Sequence, residues 1–144
     1  MVRTKFKDNI SLTEAVKFHG HLGPYLVLGL LAGKCALKKI KAKKYFGVEV
    51  KVWGAKEKPK SCFIDGLQLS TGATYGKGNI QKLNGNLIKL RMRNCSNNKK
   101  AKLTFTKNLI NKLNGARTHK ESEALALKLL KTNFAQLFNL VLSS

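Results

Sequence analysis

Leu87-Ile88-Lys89-Leu90-Arg91-Met92-Arg93 alternates apolar and basic side chains, the period of a strand with one face buried. The polar run Asn94–Lys99 then turns the chain into Ala101–Thr106, where Ala101, Leu103 and Phe105 share a face. Strands joined by so short a turn pair antiparallel, and that pairing decides the fold class. Upstream, Asn84-Gly85 is a two-residue hairpin signal, which predicts a second antiparallel pair between Ile80–Leu83 and Leu87–Arg93. Val48, Val50 and Val52 alternate with Glu49, Lys51 and Trp53 and predict one more half-buried strand.

Helices frame these strands. Ser11 and Glu14 stand at capping-box spacing ahead of a short helix that stops near Gly20. Gly23-Pro24 opens a second helix running to about Lys39, with proline in the first turn, where its missing N–H costs nothing. Leu26, Val27, Leu28, Leu30 and Leu31 leave that helix apolar on nearly every side, so it is buried. Gly29 and Gly33 give it a smooth stripe for a close backbone neighbour. Beyond Pro59, Ser61 is the expected cap of a third helix through Cys62, Phe63, Ile64, Leu67 and Leu69. A short helix from about Lys107 ends at Asn114-Gly115. Thr118 and Glu121 form a second capping box, and Leu127, Leu130, Phe134, Leu137 and Val141 recur at helical spacing to the end. The order predicts an α+β fold, a mixed and mainly antiparallel sheet with helices packed on it, in a single domain over residues 1–144.

Of the 144 residues 43% are hydrophobic, enough for a real core. Lys and Arg number 28 against 7 Asp and Glu, a net charge of +21, and only Arg3, Arg91, Arg93 and Arg117 are arginines. A phosphate-binding face needs its cations gathered among arginines or aromatics. Here the lysines are spread along the whole chain, which reads as a solvated coat. A basic nucleic-acid-binding protein is the alternative. Binding by the coat alone would be sequence-blind and largely gone by about 200 mM salt. Cys35, Cys62 and Cys95 lie far apart with no C-x-x-C, which argues for a reducing compartment, and Cys35 and Cys95 are expected to be small core residues. Met1–Ile10 lacks the apolar stretch of a secretory signal. Tyr25–Leu31 and Leu137–Leu142 are far shorter than the roughly 20 residues of a spanning helix. A cytoplasmic protein without a membrane partner is the expectation.

Chemistry concentrates in three places. Phe18-His19-Gly20-His21 sets two imidazoles around a glycine, just ahead of the helix that starts at Pro24. The positive end of that helix disfavours imidazolium and leaves neutral rings able to ligate a metal or polarise an oxygen. Two histidines bonded to carbonyls of a tight turn are the plainer alternative. Cys62 and Asp65, three apart, share one helix face. The pair is either a thiolate ligand with a carboxylate orienting a histidine, or a core thiol with a helix-start charge. Thr71-Gly72-Ala73-Thr74-Tyr75-Gly76-Lys77-Gly78-Asn79 is too short between glycines for a Walker A loop, and Gly78 replaces the required hydroxyl. It either holds an anion through its amides or is a turn that needs positive φ. No nucleophile elbow or paired carboxylates point to a familiar hydrolase.

Phe18-His19-Gly20-His21-Leu22-Gly23-Pro24 resembles F-H-G-H-x-C-P-G, the opening motif of the FmdE-like family, which is named for a component of formylmethanofuran dehydrogenase. Ser61-Cys62-Phe63-Ile64-Asp65-Gly66-Leu67-Gln68, followed by Thr71–Asn79, is similar to that family's S-C-x-x-D-A-x-Q…T-G-C-T-x-G-K-G-N. The resemblance covers roughly residues 10 to 95. It implies an α+β domain, assembly as a homodimer, and an active or metal site among the motif histidines and cysteines. It also implies association with a molybdenum or tungsten formylmethanofuran dehydrogenase complex, which fixes carbon dioxide onto methanofuran in methane-producing archaea. Members also stand alone. Gly23 and Ala73 replace two family cysteines, so dithiol chemistry is lost. The expected site has His19, His21 and Cys62 as ligands of zinc or another divalent transition metal. Asp65, Thr71, Gly72, Gly76, Lys77, Gly78 and Asn79 are expected to bind the ligand. The long apolar C-terminal helix, with Phe134, Leu137, Phe138 and Val141, is the expected dimer contact.

Overall fold

The computed structural model describes residues 10–144. The reading of the N-terminus as free of a secretory signal concerns Met1–Asn9 and lies outside the described residues. The chain runs α1 (Leu12–His19), α2 (Pro24–Ile40), β1 (Val48–Trp53), α3 (Cys62–Thr71), β2 (Ile80–Leu83), β3 (Lys89–Asn94), β4 (Lys100–Phe105), α4 (Lys107–Asn114), α5 (His119–Lys131) and β5 (Phe138–Ser143). The five strands form one mixed sheet in the order β2-β1-β3-β4-β5. Only β1 and β2 pair parallel. The fold is α+β, as the alternating segments imply. Among the described residues no helix is long and apolar enough to cross a membrane.

Local chemistry sets most element ends. The Ser11 hydroxyl accepts from Glu14 N, and Gly20 closes α1 at φ 107°. Thr118 and Glu121 complete a reciprocal capping box on α5. Ser61 departs from expectation. Its backbone is already helical and its side chain makes no cap bond. Instead Cys62 N and Phe63 N donate to the carbonyls of Pro59 and Lys60, so a preceding turn leads into α3.

The inward faces of β1, β3 and β4 (Val48, Val50, Val52, Leu90, Met92, Leu103, Phe105) join Val27, Leu28 and Ala36 of α2 in one core. α3 lies against α2 at glycine. A Cβ at Gly29 would collide with the Phe63 carbonyl, and one at Gly66 with the Leu26 carbonyl. The Ser70 hydroxyl bonds across this seam to the Gly29 carbonyl at 3.2 Å while donating to Gly66 O at 2.8 Å.

Three further sequence expectations are corrected. Asn84-Gly85 makes no hairpin, because β2 pairs parallel with β1 and β3 occupies the other side of β1. The 84–88 loop crosses the end of β1, where a Cβ on Gly85 would stand 2.9 Å from the Trp53 Cβ. That close approach, not a two-residue turn, selects the glycine. The second correction is the C-terminus. α5 ends at Lys131, and Phe138–Ser143 pairs antiparallel with β4. Asn133 caps the turn between them by accepting from Ala135 N. The apparent helical stripe is no face, since Leu127, Leu130 and Val141 are exposed while Ala126 and Leu129 are buried. The homodimer expectation therefore loses the helix on which it drew. Cys95 is also exposed rather than a core residue, whereas Cys35 is half-buried.

Candidate functional site

α1 ends in His19 and α3 begins with Cys62, so the α2–α3 seam brings the first two motifs together. The His19 Nδ1 lies 2.6 Å from the Asp65 Oδ2. A carboxylate only accepts, so Nδ1 is the donor of this pair, and Nε2 is the nitrogen left to bond elsewhere. His19 Nε2 is buried and has no hydrogen-bond partner among the described residues. A buried acceptor left empty is costly and demands an explanation.

The His21 ring packs on His19, with centroids 4.7 Å apart and planes tilted 39°. Burial, then the neighbouring His19 and His119 rings, lower the His21 pKa below the usual 6.5, against an opposing pull from Glu123. Gly23, where the family has cysteine, faces this ring. A Cβ there would stand 3.0 Å from the His21 Nε2. Ala73, the other replaced cysteine, is fully buried beyond the far end of α3.

Sequence reasoning missed His119. The first residue of α5 places its ring 5.8 Å from His21, and its Nε2 is 3.2 Å from the Glu123 carboxylate. Thus all three histidines of the chain gather in one row. Their scarcity was the only available signal, because the approach of α5 to the paired histidines is long-range.

His21 and Cys62 line a cavity of about 720 Å³ whose other wall is the 54–60 loop. Lys56, Lys58 and Lys60 project from that loop, with Glu57 as the single acid. Tyr25 and Asn114 also line it, and the Tyr25 hydroxyl donates to Asn114 Oδ1 at 2.6 Å. Burial pushes the Tyr25 pKa up to about 12, so it remains a donor. Burial raises the Cys62 thiol pKa, Asp65 adds to that, and Lys58 opposes it. Among the described residues no group of three or more His, Cys, Asp or Glu side chains is assembled to hold a metal ion.

The glycine loop stands apart. It follows the C-terminus of α3, about 13 Å along the helix from Cys62, and contributes nothing to the cavity lining. Several of its amides are already engaged. Thr74 N donates to Asn79 Oδ1, Tyr75 N to Gln68 Oε1, Lys77 N to Thr74 Oγ1, and Gly78 N to Thr74 O. Gly72 and Gly78 take φ of 75° and 74°. Lys77 Nζ bonds Thr74 Oγ1, Thr71 Oγ1 bonds Leu67 O, and Asn79 Nδ2 donates to Tyr45 O and Val48 O. Gly72 and Gly78 therefore stand where the chain turns at positive φ.

No curated protein matches the chain. The family model described as FmdE, molybdenum formylmethanofuran dehydrogenase operon, matches residues 18–143. That span opens at the phenylalanine before the paired histidines and closes at the last residue of β5. The chain belongs to the FmdE family.

Proposed function

We propose that the chain is a stand-alone or accessory relative of the FmdE component of formylmethanofuran dehydrogenase. In this reading it binds a divalent transition metal, zinc first, at His19 and His21, and a small anionic ligand in the adjoining cavity. The observation that carries it is the buried His19 Nε2 with no partner among the described residues, on a ring whose Nδ1 is fixed by Asp65. A carboxylate behind a ligating imidazole is the usual support of a metal site, and it holds the tautomer that ligation needs. The donors present fit such an ion: two imidazoles side by side, with Cys62 one helical turn from Asp65.

Each residue has its part. Asp65 keeps the proton on Nδ1 and the lone pair on Nε2. His21, held neutral, adds a second imidazole. Cys62 is the proposed third ligand, and it has to turn toward the rings, since three donors do not already converge. An ion held by these residues would supply Lewis acidity. Lys56, Lys58 and Lys60 attract an anion into the cavity, whose lining also includes Tyr25 with its hydroxyl protonated. The glycine loop enters this reading as a brace for the end of α3. A role in one-carbon, methanofuran-linked metabolism, and association with the dehydrogenase complex, follow from the family.

Titration of metal-stripped protein with zinc and cobalt tests the reading. One ion per chain is expected, lost in His19→Ala, with a thiolate-to-cobalt charge-transfer band that Cys62→Ala removes. Absence of stoichiometric binding overturns the metal. A zinc-soaked structure with the Cys62 sulfur well beyond about 3 Å of an ion held by His19 or His21 overturns the three-ligand set, because a Zn–S bond is about 2.3 Å.

A further inference from the structure

The outward face of the sheet carries charge in an order that the linear sequence hides. Along β1, β3 and β4 alternate residues are buried, so the intervening side chains all point away from α2. Strand register then sets Lys51 opposite Arg91, and Arg91 opposite Lys102. Like charges directly opposite one another destabilise a sheet, so this row is held at a cost. In the row on one side Arg93 faces Lys100, and only here does an acid intervene, Glu49 at 2.8 Å from Arg93. In the row on the other side Lys89 stands opposite Trp53, the single tryptophan of the chain.

We propose that this face binds single-stranded nucleic acid. Residues two apart on a strand are separated by about 6.6 Å and neighbouring strands by about 4.8 Å, so the cations form a flat grid. Such a grid can follow a sugar–phosphate backbone through Lys51, Arg91 and Lys102. Lys89 and Trp53 at its margin offer a cation beside an indole on which a base can stack. Splayed, unstacked bases lie readily on the open face of a sheet, where their edges and planes are both accessible. An acidic protein would use the cations and leave the indole idle. A membrane would need more apolar surface than the half-buried Trp53 and the exposed Val141, which stands opposite Lys102, provide.

Trp53 is also the reporter. Saturable quenching of its fluorescence by dT12 or U12 oligonucleotides is expected in about 100 mM salt. The two oligonucleotides separate the sources: a preference for U12 names RNA, and equal binding names the backbone and base chemistry common to both. Lys51→Glu with Lys102→Glu should weaken binding at least about tenfold. It should also reduce the slope of log K against log salt by about 1.4, the value for two lost phosphate contacts on a single strand. Lys34→Glu with Lys38→Glu makes the same charge change on exposed α2 positions and should weaken binding less than about twofold. The sheet variant will fold, since each new carboxylate faces Arg91 across the register, and its Tm should rise. Equal weakening by the two double variants would show bulk charge alone and overturn the proposal. So would polyglutamate of matched charge that binds and quenches as well as dT12, or equal retention on phosphatidylglycerol vesicles.

Discussion

The two ends of α3 bear motifs of equal prominence and spend their polar groups in opposite ways. At the C-terminal end the glycine loop closes on itself, with four donors and the Lys77 ammonium bonded within or beside it. Near the N-terminal end His19 keeps one ring nitrogen buried and without a partner among the described residues, and the ring packs on His21, which lines the cavity. Hydrogen-bonding capacity left over inside a folded protein demands an explanation, and the proposed metal site supplies one; capacity used up within a loop makes that loop a brace.

Substitutions at the two ends should therefore separate binding from stability. The largest effect expected is at His19: His19→Ala should lower zinc affinity more than about 100-fold, beyond what loss of a supporting residue costs. Isothermal titration checks this, with the Tm of the metal-free protein nearly unchanged. Asn79→Ala should do the reverse. Loss of its bonds to Tyr45 O, Val48 O and Thr74 N should cost about 2 kcal/mol in a urea melt, with zinc affinity intact. If Asn79→Ala abolishes zinc binding in folded protein, the contrast between the ends fails. Asp65→Asn should weaken zinc about tenfold, and less than Cys62→Ala does, because in the proposed site Asp65 orients the His19 ring rather than touching the ion.

Gly23→Cys sharpens the comparison from the other side. Its Cβ would stand 3.0 Å from the His21 Nε2, so a thiol there is beside the proposed site. Tighter cobalt binding and a stronger charge-transfer band are expected, with Gly23→Ala, which crowds the ring without a donor, weakening both. The smallest effect concerns pH. A histidine with a folded-state pKa below its unfolded value takes up protons more readily when unfolded, so stability is whole above about 6.5 and falls as pH drops below it. His21→Gln should flatten that part of a Tm-against-pH curve. An unchanged curve would remove the burial attributed to His21.

Much of this was legible along the chain where the physics is local. The Thr118–Glu121 box, the proline start of α2 and the turn between β3 and β4 each depend on a few consecutive residues. Gly85 misled because two different demands, a tight turn and a close crossing, select the same residue. Val141 misled because a few apolar residues match periods of both 2 and 3.6, and only pairing with β4 decides between them. His119 and the Lys51–Arg91–Lys102 row were out of reach for a related reason. Tertiary register creates them, and no window of sequence contains them.

The glycine seam between α2 and α3 bears on how such a protein evolves. Gly29 and Gly66 meet with no side chain between the two backbones, so the spacing of His21, ahead of α2, from Cys62 and Asp65, at the start of α3, is set by main-chain contact. Side-chain volumes elsewhere in the core can drift without changing that spacing. Residues at the margin, such as Gly23, are then free to change while the frame that holds the histidines and the acid stays rigid. A mutational survey would find core positions tolerant of conservative swaps in function, and the two seam glycines intolerant of any.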